Sequence, residues 1–490
     1  MQIMRKIIIA ILVLVLAGCE GFLDEDIRST YNYDNYFQSE DDLVRFANGM
    51  YGGLIIWTWE QGGLFFNNYW VLQDLASDNA FETGPSVDMH DLSKFTFDPN
   101  NIVTGFVWQG CYFVINSANV LLHESEKMEK YSSPEIKNHL QGEACFMRGM
   151  LYFELAKLFG DIPYQDFPTT DPEGTKLART PVAEVYENII ADLERAEQLL
   201  AVNPFPDRVL GMPTPETAAA LLGKVYLTRG ALNDDPADFA LAKTSLEKVI
   251  GKYELEPEFS DIFKLANANR GEILWSVNFS GTLGEGWTTN QFLVRLMPTT
   301  ESSNGVRNGQ AWERPTRHLY NSFSPDDKRR DATFITEFEG EVFGEPFVQK
   351  YWDREAEPGK QNGESDADFI YLRYADVLLM YAEALNEIGG GPDEAAYDAI
   401  NLVRNRAGIG DLTEGLGYQD FKDALLQERR WELVMEGHRW YDLVRFGKLK
   451  EAVLLAKPEA NVKDHHVLFP IPQKERYYNP ALTQNEGYAE

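Results

Sequence analysis

Apolar positions recur at helical spacing along most of the chain. In 40–56, Leu43, Phe46, Ala47, Met50 and Leu54 fall on one stripe, the signature of a helix with one buried face. Ser39 followed by Asp42 is a capping-box variant that starts it. The same period predicts helices over 106–124 and 135–158, an antiparallel pair broken at Ser132-Ser133-Pro134. A second pair is predicted over 181–201 and 215–230, where Pro181 and Pro215 suit a first helical turn. Further helices are expected over 236–251, with Ala240, Leu241, Leu246 and Val249 inward, and over 370–388 and 393–407.

Paired helices suggest repeats. Leu222-Gly223-Lys224-Val225-Tyr226 fits the L-G-x-x-Y piece of the tetratricopeptide pattern, but no strict period of about 34 residues runs through the chain, so the repeats are degenerate. Such pairs stack into a continuous core and leave a broad surface free. Residues 254–369 differ. They are rich in Gly, Asn, Thr, Pro and Trp, with strand-like pieces at 273–279 and 347–352 and long apparent loops, which in compact proteins often carry function. The fold class expected is mostly α, with tetratricopeptide-like helix pairs backing a loop-rich face, and two regions, 37–270 and 271–490.

The polar and aromatic pattern departs most from the periodic background at 57–70, WTWEQGGLFFNNYW, where six of fourteen positions are aromatic. A sugar ring has an apolar C–H face and a polar edge, and a Trp or Tyr can cover the first while amides and carboxylates bind the second. Three stretches combine these types: 57–70 with its continuation to Asn79, 284–292, and 304–320. The stacking candidates are Trp57, Trp59, Tyr69, Trp70, Trp287, Trp312 and Tyr320. The hydrogen-bonding candidates are Asn68, Asp78, Asn290 and Arg314. The alternative for each ring is that it plugs a gap in the surface. Within the first stretch, Phe65 and Phe66 beside Gly62-Gly63 are expected to anchor in the core, and Trp57, Trp59, Tyr69 and Trp70 to be exposed. Trp108, Trp431 and Trp440 sit in periodic helices and are expected in the core.

Charge narrows the partners. The 490 residues include 45 Lys and Arg against 77 Asp and Glu, a formal charge of −32. That argues against nucleic acid, whose phosphates need basic stripes, and leans toward neutral sugars, although Arg295, Arg307, Arg314 and Arg317 lie near the loops. At the N-terminus, Arg5 and Lys6 precede an apolar run over 7–17 that ends in Leu16-Ala17-Gly18-Cys19. The run is too short to span a bilayer and has the length of a signal-peptide core. Its end resembles the lipobox of bacterial lipoproteins, which implies a signal peptide over 1–18, lipidation at Cys19 and a tether over 19–36. The remaining Cys111 and Cys145 allow either one disulfide or two buried thiols.

No pattern of catalysis emerges. Glu428, Glu432 and Glu436 are spaced i,i+4 along one helix, a row on one face rather than two acids facing each other across a cleft. Arg429 and Arg430 can pair locally or reach neighbouring helices, and structural ion pairs and hydrogen bonds account for the block. His465 and His466 are adjacent, which on a strand points them to opposite faces. There is no H-E-x-x-H, G-x-S-x-G or phosphate-binding glycine loop, and no acidic loop has EF-hand spacing. No metal or cofactor site is assigned, and the many acids leave calcium as an open alternative.

Several stretches, in order, resemble the SusD/RagB family. They are Arg148 to Leu155 with Phe159 to Pro163, Arg373 to Asn386, Ala399 to Ala407, Glu428 to Arg445, and Phe469 to Pro472 with Asn479-Pro480 and Gln484-Asn485. The resemblance covers essentially the whole chain after Cys19. It implies four tetratricopeptide-like helix pairs, a non-catalytic role, and a place on the outer face of the outer membrane. It also implies a partner, a SusC-like TonB-dependent transporter, to which captured oligosaccharides are passed. Some members take peptides or other nutrients instead. Aromatic positions vary within the family, so the resemblance assigns no site residue. A scaffold that binds only protein is the alternative from another class; it expects the aromatic loops to be buried.

Overall fold

The computed structural model describes residues 36–56, 63–205, 211–280, 289–357, 359 and 364–489. The fold is mostly helical. Its long helices are α1 (Glu40–Ile55), α2 (Ile102–Lys127), α3 (Pro134–Phe159), α4 (Val182–Leu199), α5 (Pro215–Asn233), α6 (Pro236–Glu247), α7 (Tyr374–Gly389), α8 (Glu394–Ala407) and α9 (Tyr418–Glu432). From α2 to α8 each packs on the next in chain order, with α6 meeting α7 across the intervening 248–373 segment. The start of α1 is held by Asp42, whose carboxylate accepts the Ser39 N–H at 2.9 Å and the Ser39 hydroxyl at 2.7 Å. The L-G-x-x-Y glycine has a packing reason. A Cβ on Gly223 would lie 2.6 Å from Leu246 Cγ, so only glycine lets α5 approach α6 this closely.

Three two-stranded antiparallel ribbons complete the described fold: β1 (Ala80–Glu82) with β3 (Glu313–Pro315), β2 (Ile273–Val277) with β6 (Phe369–Arg373), and β4 (Phe334–Phe338) with β5 (Glu341–Val348). The main apolar core is continuous from Leu43 to Leu482. Trp275 of β2, edge-on to Phe146 of α3 at 5.3 Å, joins the ribbon to the helix stack. Among the described residues no helix is long and apolar enough to cross a membrane.

Several expectations need correction. The helix expected over 370–388 begins only at Tyr374, because 369–373 pairs with β2 and is buried on both faces. The strand-like piece 347–352 is extended only to Val348. Asp464–Val467 is a short 3-10 turn rather than a strand; His466 is buried and His465 half-buried. The acidic row is broken: α9 stops at Glu432, and Met435 and Gly437 turn the chain through positive φ (59° and 71°) before the next helix, Arg439–Arg445. Cys111 and Cys145 are both buried free thiols.

The ion-pair account of that acidic block holds. Glu432 receives Arg329 at 2.9 Å and Arg373 and Arg406 at 2.5 Å each, while Glu428 pairs with Arg329 and Arg404, and Glu436 with Arg373 and Lys350. These acids are sealed in the core and already matched, which leaves them no substrate to meet. Trp108 and Trp440 are buried as expected, and Trp431 is half-buried with its indole N–H donating to Ser322.

Candidate functional site

After Gly63, at φ +66°, residues Leu64–Asn68 form one wide π-helical turn that runs straight into the helix Tyr69–Leu75. This explains the amides that set the stretch apart. The Asn68 side chain donates back to the Gly63 carbonyl at 3.0 Å, and Asn67 donates to the Gln291 side chain at 2.7 Å. Gln291 N–H in turn donates to the Phe66 carbonyl at 3.3 Å. The described flanks of two aromatic-bearing segments, 57–62 and 281–288, are therefore pinned to each other. Trp57, Trp59 and Trp287 themselves lie outside the described residues.

Phe65 and Phe66 are buried, as expected for anchors. Tyr69 and Trp70 are buried too, and this corrects the expectation that they are exposed. Trp70 packs on Phe292 at 4.9 Å, and Phe292 stacks face to face on Tyr351 at 3.8 Å. Tyr69 sits against Phe65 and Phe369, and its hydroxyl donates to Glu154, which also accepts from Tyr371 and pairs with Lys157. A helical turn in which every side chain from Leu64 to Leu75 is buried has no free face to give a ligand.

The polar candidates Asn68, Asp78 and Asn290 are likewise structural, a second correction. Asp78 is buried and bound by Arg439 at 2.7 Å and Arg430 at 2.9 Å. Burial alone would raise its carboxyl, but these two guanidiniums outweigh burial and hold it below the usual range. Asn290 bridges to Ser365 through the backbone and to the Ala367 carbonyl through its side chain. A short Asn followed by Gln with an Asp downstream looks the same in sequence whether it faces water or locks a turn.

Trp312, Arg314 and Tyr320 are half-buried and remain open to a partner. Trp312 lies along Gly84, where a Cβ would come 2.5 Å from the indole, and its carbonyl accepts Thr83 N–H at 2.6 Å. Below it is the Arg295 guanidinium, 5.7 Å from the ring, itself buried and paired with Glu82 at 2.5 Å. Arg295 N–H donates to the Gln291 carbonyl at 3.0 Å, so the Trp312 shelf is built on the same turn that joins the described flanks, Phe66 and Gln291. Arg314 lies over Phe347 at 4.9 Å, and Tyr320 is edge-on to Phe334 at 5.4 Å.

A cleft of about 380 Å³, missed by sequence reasoning, opens beside this frame. It is lined by Tyr51, Leu54 and Ile55 of α1, by Gly211 and Met212, and by Trp275 to Asn278 of the β2 strand and its end. Its walls thus lead directly into 57–62, 206–210 and 281–288. Its rim is fixed by Asp368, which accepts Asn278 Nδ2 at 2.7 Å and Phe279 N–H at 3.0 Å; burial raises that carboxyl to about 6. Trp275 backs the cleft from the core, its Nε1 donating to the Gly211 carbonyl at 3.1 Å, but at 1% exposure its ring is closed to a ligand. Nothing in the sequence distinguished Trp275 from an ordinary strand residue. Among the described residues, no three His, Cys, Asp or Glu side chains are placed to hold a metal ion.

The sequence profile of the SusD family matches residues 339–488, and a profile described as starch-binding associating with outer membrane matches 22–227. A SusD-like protein P2 of Formosa agariphila is 30% identical, with 99% of each chain covered. Among solved structures, a SusD superfamily protein from Parabacteroides distasonis superposes with TM-score 0.81 at 25% identity, covering 92% of this chain and 99% of that one. A surface glycan-binding protein A from Bacteroides thetaiotaomicron, solved in complex with laminarihexaose, shares the fold at TM-score 0.76 and 20% identity, covering 91% and 99% of the two chains. With the helix stack, the sealed acidic block and near-complete alignment to such a relative, the chain belongs to the SusD/RagB family.

Proposed function

We propose that this protein captures neutral oligosaccharides on its loop face and passes them, uncleaved, to a SusC-like TonB-dependent transporter, held at the outer surface of the outer membrane by a lipid on Cys19. The observation that carries this reading is the convergence described above. The flanks of 57–62 and 281–288 are pinned together at Phe66–Gln291, and the half-buried Trp312 stands on the same turn. Family membership supports it, as does the starch-binding, outer-membrane description of the profile over 22–227.

The test is affinity electrophoresis of the protein without residues 1–19 through gels holding a panel of neutral polysaccharides, laminarin and starch among them. Retention by at least one is expected, with no release of reducing ends. Removing a stacking ring costs about 1 kcal/mol, so Trp312→Ala should weaken retention about fivefold in protein that a melting curve shows to be folded. Unaltered retention of that variant removes Trp312 from the site. A scaffold that binds only protein would pass every gel unretarded.

A further inference from the structure

A second, larger groove of about 870 Å³ runs between the α2 face from Trp108 to Asn119, the 163–176 segment and the C-terminal helix Gln473–Tyr478. None of its described lining residues comes from 271–357, so it is built independently of the Trp312 shelf. Among the described residues, the exposed large aromatics are Phe113 (44%), Phe167 (45%), Tyr477 (79%) and Tyr478 (60%). Two of the four line the groove and the other two belong to segments that wall it. Phe113 and Tyr478 line the groove, Tyr477 is edge-on to Tyr478 at 5.5 Å, and Phe167 lies within the 163–176 wall. Elsewhere the described rings are buried or half-buried, so this concentration is not a general property of the surface.

The walls are fixed by polar contacts. Gln109 of α2 donates to Glu475 of the C-terminal helix at 2.7 Å, and Asn116 accepts the Thr169 N–H at 2.8 Å. Asn119 donates to the Gln165 and Phe167 carbonyls at 2.9 and 3.2 Å. Charge is locally balanced, with Lys176 paired to Glu173 at 2.8 Å and Lys474 next to Glu475 in sequence.

We propose that this groove is a second binding site for a neutral oligosaccharide. Its volume falls in the range of about 300–1,000 Å³ typical of ligand clefts. Tyr478 and Phe113 offer apolar faces to sugar C–H surfaces, and held amides and carboxylates offer partners to hydroxyls. Balanced charge gives no preference for an anion. Ordered walls mean that little entropy is lost when a chain settles between them. Two sites on one molecule also raise retention on a polymer above that of either alone. The proposal rests on the glycan-capturing reading but on different residues.

The experiment runs the same polysaccharide gels on the wild type, Phe113→Ala/Tyr478→Ala, Tyr478→Phe and Trp312→Ala, with a melting curve for each. The double variant should be retained about 25-fold more weakly from the loss of two stacking rings at about fivefold each, while Tyr478→Phe, which keeps the ring, behaves as wild type. Phe113 rests on Gly53 of α1, within 3.1 Å of where a Cβ would stand. If the double variant melts early, Tyr478→Ala alone decides, with about fivefold weaker retention expected. Wild-type retention in these groove variants overturns the second site and leaves the loop face standing. Retention lost in the groove variants but not in Trp312→Ala supports the groove and overturns the assignment of Trp312. A wild type that no gel retards overturns both sites.

Discussion

Replacing Glu432 by Gln tests whether the acidic block is structure rather than chemistry. Glu432 belongs to a connected buried network of five acids (Glu272, Asp327, Glu428, Glu432, Glu436) and five cations (Arg329, Lys350, Arg373, Arg404, Arg406). All but Arg404, at 14%, have side chains no more than 4% exposed. The substitution removes one negative charge of five and leaves the cluster with a surplus cation out of reach of water. Arg329, Arg373 and Arg406 each keep another carboxylate, so the network weakens without dissolving. Breaking a buried pair from one side costs about 3–5 kcal/mol. Unfolding entropy of about 2.1 cal/mol/K per residue gives roughly 1 kcal/mol/K for a chain of this size. The melting temperature should therefore fall by about 3–5 °C, read by calorimetry. As a control, Arg317→Ala breaks the exposed Arg317–Glu345 pair and should shift it by less than about 1 °C, since surface pairs contribute about 0–1 kcal/mol. Burial pushes the Glu432 carboxyl up, but Arg406, Arg373 and Arg329 more than offset this and hold it well below the usual range. Its contribution is thus present above the unfolded value of about 4.3 and is lost as pH falls below it. A Glu432→Gln protein that melts within about 1 °C of wild type at neutral pH would refute the reasoning. So would one that keeps its melting temperature but loses glycan retention, because that would move Glu432 from scaffold to site.

Asp74 gives the opposite pH dependence. Its two carboxylate oxygens are buried without a hydrogen-bond partner, and burial raises the group to about 8, with Lys350 pulling down and Glu436 pushing up. The proton it holds stabilises the fold below the unfolded value of about 3.9, and that stability is lost as pH rises through about 8. Melting temperature should decline from pH 5 to pH 8.5 in the wild type, and less steeply in Asp74→Asn; parallel declines would show that Asp74 is solvated or paired. Trp70→Ala should lower stability by about 3–5 kcal/mol through the cavity beside Phe292 while each folded molecule is still retained by polysaccharide; a stable variant that has lost retention would return Trp70 to the ligand face. Cys111 and Cys145 are buried, which raises both thiols, Cys145 to about 12. Without Cys19, iodoacetamide should label neither until the protein is denatured, and labelling in the native state would mean that the α2–α3 pair opens.

The helix stack was legible because its signals are local. A stripe at spacing 3–4, a Pro at Pro215 and a Gly at Gly223 each act within one element or between chain neighbours. The 369–373 strand was not, because its partner is β2, almost a hundred residues away, and an apolar run buried on both faces reads equally as strand or helix. The site divides along the same line. That 57–70 was unusual could be read directly; which rings face out could not, because it depends on contacts made from far away. Tyr69 is claimed by Glu154 of α3, and Trp70 by Phe292. An aromatic-rich segment with amides has two physical origins, a ligand platform or a polar turn packed into a core, and the residues Leu64 to Leu75 are the second. The groove beside Tyr478 shows the converse. Phe113 sits in a helix with a regular buried stripe, and Tyr477-Tyr478 lies among the family-like motifs near the C-terminus, so neither stood out from its neighbours. Their exposure arises only when α2, the 163–176 segment and the C-terminal helix meet without closing over them. Open grooves of this kind are set by what the rest of the chain fails to cover, a property that no window of sequence contains.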